Sequence, residues 1–328
     1  MRVLSADDVR RAVPMQAAID AVAAAFLCLA TGQADVPLRI QIVTPEPQGV
    51  SFFMPARLGG APAPALGVKV VSVFPGNLGH GEPSIYALVN LFDPASGRPL
   101  AVLDGTYLTA LRTGAASGVA TRHLARTEAR VLAIFGAGAQ ALPQVLAVCA
   151  VRPIERVWIV NRTAERARLL VARLRDAGLT QDLRIARGPA QALAEADVVC
   201  TATSSPTPLF ADAELRPGTH INAIGAYRPA MAEIPPATLA RARIVVDQRQ
   251  AAWAEAGDLI QAREAGVISE ANIAGELGDV VAGTVPGRSG PAEITCFKSV
   301  GNAVQDVAVA ALALTRASAL GLGVELAL

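Results

Sequence analysis

The feature that most constrains the fold is a glycine-rich turn that follows an apolar run. The run VLAIF at 131–135 is followed by Gly136, Gly138 and Ala141, which fit the pattern G-x-G-x-x-A. The run has the length of a strand, and the residues after the turn have the composition of a helix. Here Gly136 would make the tight turn, Gly138 would let a pyrophosphate approach, and Ala141 would permit close packing of helix on strand. The alternative is an ordinary loop with small residues.

The chain after Arg130 alternates between strand-like and helix-like segments. The strand-like segments are RVWIV, RIARG, DVVCTAT, HINAIGA and RIVVDQ. Continuous apolar runs of this kind are typical of strands that are buried on both faces. This part therefore predicts an α/β fold, a Rossmann-type doubly wound parallel sheet, over residues 123–299.

The N-terminal part has a different pattern, helical segments followed by short strand-like segments, and this pattern predicts an α+β domain. Ser5 and Asp8 resemble a capping box, and Pro14 opens a second helical stretch. After Pro37, the segments RIQIV, SFFMPA, GVKVVSVF and SIYALVNLFD predict strands, with a tight turn at 93–97. A long helix from about residue 302 to residue 320 is expected to return to this domain, which then comprises residues 1–122 and 300–328.

Charge and hydropathy argue against several classes of partner. The formal net charge is +1, which gives no reason to expect nucleic acid or an anionic membrane surface. The acidic pair Asp7 and Asp8 interrupts the place where a signal peptide needs its apolar run. The apolar stretch at 304–322 contains Gln305, Asp306 and Arg316, which favours a buried helix over a membrane span.

The cysteines and histidines predict neither disulfides nor a metal site. Cys28, Cys149, Cys200 and Cys296 are scattered, which is typical of a chain in the reducing cytoplasm. The histidines are far apart and fit no metal-binding spacing. They are His80, His123 and His220.

The end of the second predicted strand bears on the choice of cofactor. Sites for NAD usually have an acidic residue here that binds the ribose 2′-hydroxyl, but this chain has Asn161, Arg162 and Thr163. A guanidinium pairs with a 2′-phosphate, so the sequence predicts NADPH, with NADH possible. The alternative is that Arg162 is a solvated arginine beside a helix N-cap at Thr163.

Six segments together resemble the ornithine cyclodeaminase/mu-crystallin superfamily, nearly end to end. They are SFFMPA, GVKVVSVFPGN, the long run LVNLFDPASGRPLAVLDGTYLTALRTGAASGVATRHLA, IFGAGAQA, GELGDV and FKSVGNAVQDVA. The resemblance implies a domain that binds substrate and forms a homodimer, and a Rossmann domain that binds a nicotinamide cofactor. It also implies one of several activities: ornithine cyclodeaminase, alanine dehydrogenase, ketimine reductase or small-ligand binding.

Three basic residues match family positions that hold the substrate carboxylate: Arg39, Lys69 and Arg112. The residues themselves agree, because Lys69 lies in an apolar strand, where an unpaired charge is costly. We expect a ligand anion to pair it, and we expect Lys69 and Arg112 to repel each other in the empty site. The alternatives are a lysine that faces solvent and an arginine in a structural salt bridge.

The resemblance also implies contacts for other residues. Thr113 would contact a cofactor phosphate, Thr201, Thr203 and Ile224 would line the nicotinamide and ribose, and Asn302 would close the site. The turn residues Ala139 and Gln140 would join Gly136 and Gly138 around the pyrophosphate. Met54, Tyr227 and Gly301 would line the substrate.

The chain departs from the cyclodeaminases at one motif. Those enzymes have an aspartate in G-x-D-x-P-G-K, whereas this chain has Tyr227 there and lacks the following Gly-Lys. Their glutamate before Met-Pro is replaced by Phe52 or Phe53. A carboxylate is needed to move the protons of two substrate amines, so a lyase is disfavoured. We expect an NADPH-dependent reductase of Δ1-pyrroline-2-carboxylate or Δ1-piperideine-2-carboxylate, with lyase, reductive amination and ligand sequestration as alternatives.

Overall fold

The computed structural model describes residues 1–46, 48–60 and 64–327 as two compact units. Unit 1 comprises Met1–Thr113 and Asn302–Leu328, and unit 2 comprises Gly114–Gly301. The sequence places the divisions after residue 122 and before residue 300. The first division of the structure lies earlier, inside the continuous helix Gly105–Leu124.

Strands and helices occur in the following order along the chain. The strands are β1 (Arg2–Leu4), β2 (Ala34–Asp35), β3 (Ile40–Thr44), β4 (Gly49–Leu58), β5 (Ala65–Val73), β6 (Ile85–Phe92), β7 (Pro99–Asp104), β8 (Val131–Phe135), β9 (Arg156–Val160), β10 (Asp182–Ile185), β11 (Val198–Thr201), β12 (His220–Ala223), β13 (Arg243–Val246), β14 (Ile273–Glu276), β15 (Thr295–Lys298) and β16 (Val324–Glu325). The helices are α1 (Ala6–Ala12), α2 (Met15–Ala30), α3 (Gly105–Leu124), α4 (Ala141–Val151), α5 (Ala164–Asp176), α6 (Pro189–Leu193), α7 (Pro236–Arg241), α8 (Arg249–Glu255), α9 (Gly257–Glu264), α10 (Leu277–Ala282) and α11 (Ala303–Ala319).

Unit 1 is built on a mixed sheet in the order β16-β1-β7-β6-β5-β4-β2, with β3 on β4. The long strands β4 to β7 form an antiparallel meander. The predicted turn between β6 and β7 is confirmed, and Gly97 takes the positive φ of 73° that it requires. The short strands β1 and β16 are not predicted from the sequence because they have only three and two residues.

One face of this sheet is covered by helices α2 and α11. Side chains on β5 alternate between buried and half-buried, with the odd-numbered residues toward the helices. The predicted return of the C-terminal helix to the first domain is confirmed, and Asn302 caps it by accepting a hydrogen bond from the Val304 N–H at 3.0 Å. The predicted capping box at Ser5 and Asp8 is also confirmed.

Unit 2 is an eight-stranded, fully parallel sheet in the order β10-β9-β8-β11-β12-β15-β13-β14. The predicted doubly wound parallel sheet is therefore confirmed. The order reverses between β8 and β11, and at such a switch point the carboxyl ends of the strands leave a crevice for a ligand. Strands β14 and β15 are not predicted from the sequence. Buried Lys298 interrupts the apolar pattern of β15.

No single helix in the described part of the chain is long and apolar enough to cross a membrane, although the bent pair Ala6–Ala12 and Met15–Ala30 meets the length and composition criteria.

Candidate active site

The glycine turn at the end of β8 has the geometry that its sequence predicts. Gly136 has a φ of 101°, and a Cβ atom there would lie 2.6 Å from the Ala202 carbonyl oxygen, so only glycine fits. A Cβ atom on Gly138 would meet nothing within 4 Å, so this part of the turn is open to a phosphate. The turn leads into α4, which begins at Ala141. A helix N-terminus after such a turn suits the pyrophosphate of a dinucleotide.

Two further turn residues precede α4. Ala139 lies in the turn, and Gln140 is the residue that caps α4 without a side-chain capping bond. The buried Gln140 Oε1 has no hydrogen-bond partner within the part of the chain that the structure describes. Ala141 is fully buried, as close packing of the helix on the sheet requires.

The end of β9 presents the three residues that the sequence associates with a 2′-phosphate. Asn161 donates from Nδ2 to the Thr163 carbonyl oxygen at 2.8 Å, which fixes the turn. Arg162 is exposed, and among the described residues it forms no ion pair. Its guanidinium is therefore available to an anionic ligand, and Thr163 serves as the N-cap residue of α5.

A buried carboxylate joins the ends of β11 and β12. Glu233 accepts four hydrogen bonds: from the Thr201 hydroxyl at 2.8 Å, the Thr203 N–H at 2.6 Å, the Thr203 hydroxyl at 2.7 Å and the Gly225 N–H at 2.7 Å. A Cβ atom on Gly225 would lie 2.4 Å from Glu233 Oε1, so glycine is needed there. Ile224 is tied to the same strand end, because its N–H donates to the Thr201 carbonyl oxygen at 3.0 Å.

The surroundings of Glu233 are charged as well as buried. Asp258 accepts from the Glu233 N–H at 2.6 Å and pairs with Lys298 Nζ at 2.8 Å. Burial raises the pKa of Glu233, Lys298 opposes that rise, and Asp258 adds to it. The four donors favour the ionised carboxylate. Each of its two oxygens accepts one backbone N–H and one hydroxyl, and these hydrogen bonds fix the strand ends.

The turn after β15 is held by another carboxylate. Asp247 Oδ2 accepts hydrogen bonds from the Ser299 hydroxyl at 2.8 Å, the Val300 N–H at 2.9 Å and the Gly301 N–H at 2.7 Å. Gly301 has a φ of 89°, which favours glycine. Sequence reasoning predicts Gly301 as a lining residue but does not identify its anchor, Asp247.

The loop that contains Tyr227 is pinned against α9. Gln261 donates from Nε2 to the Pro229 carbonyl oxygen at 2.8 Å, and a Cβ atom on Gly257 would lie 2.0 Å from the Met231 carbonyl oxygen. Tyr227 is half-buried and packs against the core of unit 2, with the Arg228 guanidinium 5.4 Å from its ring centroid. The loop is therefore packed closely against α9.

In unit 1, Lys69 and Arg112 share one carboxylate. Lys69 Nζ forms an ion pair with Asp306 Oδ2 at 2.8 Å, and Arg112 Nε donates to Asp306 Oδ1 at 2.9 Å. Arg112 Nη1 also donates to Gln305 Oε1 at 2.8 Å. The side chains of all four residues are 7% exposed or less. Arg112 lies in the middle of α3.

The charge balance of this cluster corrects one expectation. Lys69 is buried, so it does not face solvent. The sequence predicts that a ligand anion pairs it, but the protein itself supplies a partner, the carboxylate of Asp306. The expectation that the two cations are unpaired in the empty site is therefore wrong, whereas the expected repulsion between them is confirmed, because the Arg112 charge lowers the pKa of Lys69. Asp306 compensates one charge, and one positive charge remains on the two cations.

Burial and the neighbouring cation set the protonation of Lys69. The pKa of Lys69 is lowered from 10.5 to about 7, chiefly by burial and then by the Arg112 charge, while Asp306 opposes the shift. Arg39 also lowers this pKa, and its guanidinium lies 5.4 Å from the centroid of the Phe52 ring. The three predicted basic residues thus belong to one electrostatic group, and Lys69 changes its charge near neutral pH.

The remaining predicted residues of unit 1 lie near these groups in the fold. Met54 is buried on β4 and pairs across the ladder with Lys69 on β5. Thr113 follows Arg112 in α3, and its hydroxyl donates to the Thr109 carbonyl oxygen at 2.7 Å. Asn302 caps α11. Cofactor contacts of Thr113 and Asn302 remain predictions.

Sequence reasoning misses the carboxylates and the buried amide that organise both units. Asp306, Gln305, Glu233, Asp258 and Asp247 are all buried. The available signal is a polar residue inside an otherwise apolar run, as at Asp306 in the C-terminal helix. Such a residue is costly to bury unless it is paired. Its presence therefore indicates that a partner exists, although the sequence does not identify that partner. Among the described residues no group of three or more His, Cys, Asp or Glu could hold a metal ion.

Fold and site together define a chain with a Rossmann dinucleotide-binding unit and a second unit that contains a buried cationic cluster. The chain belongs to the ornithine cyclodeaminase/mu-crystallin family, whose model matches residues 1–320.

Relatives within the family are similar over the full length. A Δ1-pyrroline-2-carboxylate reductase of Bacillus cereus is 39% identical over 324 residues, 98% of each chain. The Thermococcus litoralis Δ1-pyrroline-2-carboxylate reductase, solved with NADH and L-proline, superposes with a TM-score of 0.95 at 38% identity, covering 99% of this chain and 100% of that one. An archaeal alanine dehydrogenase dimer with bound NAD has a TM-score of 0.92 at 35% identity, with 100% and 99% covered.

Proposed function

We propose that this protein is an NAD(P)H-dependent reductase of cyclic ketimine acids, which converts Δ1-pyrroline-2-carboxylate or Δ1-piperideine-2-carboxylate to L-proline or L-pipecolate. The observation that carries the proposal is the buried cluster of Lys69, Arg112 and Asp306, with its excess positive charge. Such a cluster suits a small carboxylate with a basic nitrogen. The full-length similarity to pyrroline-2-carboxylate reductases supports the same chemistry.

The cationic residues divide the work of binding and proton transfer. Arg112 and Arg39 bind the substrate carboxylate, which fixes the orientation of the ring. Lys69, with a pKa of about 7, donates a proton to the imine nitrogen at neutral pH. A protonated imine accepts a hydride more readily than a neutral one, and the bound nicotinamide cofactor supplies that hydride.

The residues of unit 2 fit a dinucleotide. The open space at Gly138 and the start of α4 suit the pyrophosphate, and Glu233 fixes the strand ends at Thr201, Thr203 and Gly225 beside the switch point. Arg162 is free to pair with a 2′-phosphate, so we propose a preference for NADPH. The related structures contain NADH and NAD, so the preference needs a direct test.

The lyase activity of some family members is disfavoured by the loop of unit 2. Tyr227 stands where cyclodeaminases have an aspartate, and it packs against the core. Without that carboxylate, the residues of this loop offer no base for a second amine. Reductive amination is a second candidate, because an Archaeoglobus fulgidus alanine dehydrogenase is 37% identical over 308 residues.

We propose that the protein is a homodimer through the uncovered face of the sheet of unit 1. Ile40, Phe53, Val70 and Leu88 lie in one row across β3 to β6, on the side away from α2 and α11. Ile40 is 61% and Leu88 is 52% exposed, and contiguous apolar surface of this kind is typical of an interface. The related alanine dehydrogenase is a dimer.

The direct test is the oxidation of NADPH and of NADH by the purified protein with separate substrates. The substrates are Δ1-pyrroline-2-carboxylate, Δ1-piperideine-2-carboxylate, and pyruvate with ammonia, and a separate incubation with ornithine and NAD is assayed for proline. We expect the largest kcat/KM with a cyclic imine and no proline from ornithine. A larger kcat/KM for pyruvate with ammonia would identify an alanine dehydrogenase, and proline from ornithine would identify a lyase.

A further inference from the structure

Gln305 has an unused hydrogen-bond donor in the cationic cluster of unit 1. The residue lies in the first turn of α11 and is fully buried. Its Oε1 accepts from Arg112 Nη1 at 2.8 Å, whereas its Nε2 has no acceptor within the described ranges of the chain. A buried amide N–H without an acceptor is costly, so it needs a reason.

The orientation of this amide follows from its partner. A guanidinium only donates, so the atom of Gln305 that faces Arg112 must be the carbonyl oxygen. Rotating the amide by half a turn would place two donors in contact. The unused atom is therefore the amide nitrogen, which is a donor.

The groups next to Gln305 do not provide an acceptor for its Nε2. Asp306 uses Oδ1 for Arg112 and Oδ2 for Lys69. Arg112 donates to Asp306 through Nε and to Gln305 through Nη1, and neither of these two hydrogen bonds uses Nη2. Donors outnumber acceptors, and one positive charge is uncompensated. The start of α11 adds a partial positive charge. The cationic cluster around Gln305 Nε2 therefore suits an anion with two acceptor oxygens.

We propose that Gln305 is a substrate-binding residue, whose Nε2 donates to one oxygen of the substrate carboxylate while its Oε1 holds Arg112. The proposal rests on the proposed function and adds a third donor to the two basic residues. Because both carboxylate oxygens accept, whereas a carboxamide offers one acceptor and a competing NH2 group, Gln305 favours imino acids over their amides.

Two variants separate this role from simple support of Arg112. Gln305→Met removes the donor without adding charge, and Asp306 still holds Arg112 through Nε. Gln305→Glu keeps an acceptor for Arg112 but replaces the donor by an acceptor. Gln16→Glu is the matched control, because Gln16 is exposed on α2 of the same unit.

We expect Gln305→Met to raise KM for the imine about 10- to 100-fold, the loss of one hydrogen bond to a charged group, with NADPH affinity unchanged. Gln305→Glu should raise KM further, and Gln16→Glu should not change it. The same ranking is expected for the affinity of L-proline, measured by thermal shift with saturating NADPH, while the affinity of L-prolinamide should fall much less in Gln305→Met.

Several results would overturn the proposal. Normal KM in Gln305→Glu would mean that the residue serves Arg112 alone, and equal losses for proline and prolinamide in Gln305→Met would mean a general structural role. If the wild-type protein binds proline but reduces no cyclic imine, the proposed function fails, and the proline measurements still decide the role of Gln305.

Discussion

In the proposed function, one buried residue, Lys69, combines substrate binding with proton transfer. Its ammonium lies between Asp306, which stabilises the charge, and Arg112, which opposes it. With a pKa of about 7 it is near the value at which a proton donor works best at neutral pH. A substrate carboxylate would raise this pKa, so binding above neutral pH should take up a proton.

The first prediction concerns Lys69→Met. Asp306 keeps Arg112 as a partner, so the variant should fold. Since the folded-state pKa of Lys69 is lowered, the protonated residue destabilises the protein below about pH 7, and this cost declines as pH rises toward 10.5. The variant should therefore melt above wild type at pH 6, with a smaller difference at pH 9, and lose at least about a hundredfold in kcat/KM for the imine with normal NADPH affinity.

Calorimetry at the two pH values and steady-state kinetics provide the measurements. An unfolded variant would mean that the Lys69–Asp306 pair is required for stability. A variant with normal kcat/KM would remove Lys69 from the substrate site.

The second prediction concerns the pH profile. Only protonated Lys69 binds an anion and donates a proton, so kcat/KM should fall as pH rises through about 7. The corresponding limb in kcat should lie at higher pH, because the bound carboxylate raises the pKa. Lys69→Arg, which stays protonated, should lack this limb. An identical limb in that variant would assign the titration to the substrate.

At the scale of elements, each unit uses a buried carboxylate to join parts of the chain that are distant in sequence. Asp306 on α11 holds Lys69 on β5 and Arg112 on α3. Glu233 holds the ends of β11 and β12 through two obligatory backbone donors, the N–H groups of Thr203 and Gly225. These hydrogen bonds hold the strand ends in position without a contribution from a ligand.

A third prediction tests Glu233. In Glu233→Gln the amide NH2 would face a backbone N–H on either side, so one donor loses its acceptor. We expect a loss of about 1–3 kcal/mol in the free energy of unfolding. We also expect weaker NADPH binding, measured by fluorescence titration. Glu270→Gln, an exposed change in the same unit, is the control. Reduced stability with unchanged NADPH affinity would mean that Glu233 stabilises the fold and does not contribute to cofactor binding.

The turn after β9 is the basis of the fourth prediction. Arg162→Ala should weaken NADPH by about 1–3 kcal/mol and NADH much less, because only NADPH has a 2′-phosphate. Arg173→Ala, in the last turn of α5, controls for the general loss of charge. Dissociation constants for both cofactors provide the measurement, and equal losses for both would mean that Arg162 does not contact the 2′-phosphate.

At the scale of the whole molecule, the fifth prediction concerns the dimer. Leu88→Asp places a charge at the β6 end of the exposed apolar row of unit 1, and burying it in an interface would be costly. We expect sedimentation to show a dimer for wild type and monomers for the variant. Leu169→Asp, on an exposed position of α5, should remain dimeric. A monomeric wild type, or a dimeric Leu88→Asp, would place the interface elsewhere or remove it.

The sequence by itself determined what depends on local order along the chain. The turn at Gly136 and Gly138, the parallel sheet of unit 2 and the capped ends of α1 and α11 follow from residues that are neighbours in sequence. The family motifs added Arg39, Lys69 and Arg112, and the structure groups these three electrostatically.

Only the tertiary structure decided which charges meet. Asp306 lies more than 190 residues from Arg112 along the chain, and Glu233 lies 32 residues from Thr201, so no spacing rule connects them. The strand β15 enters the sheet between β12 and β13, where its polar Lys298 is paired by Asp258. Burial requires such partners but does not specify them, because the desolvation cost of a buried charge belongs to that charge and does not determine which residue offsets it. The fold makes that choice.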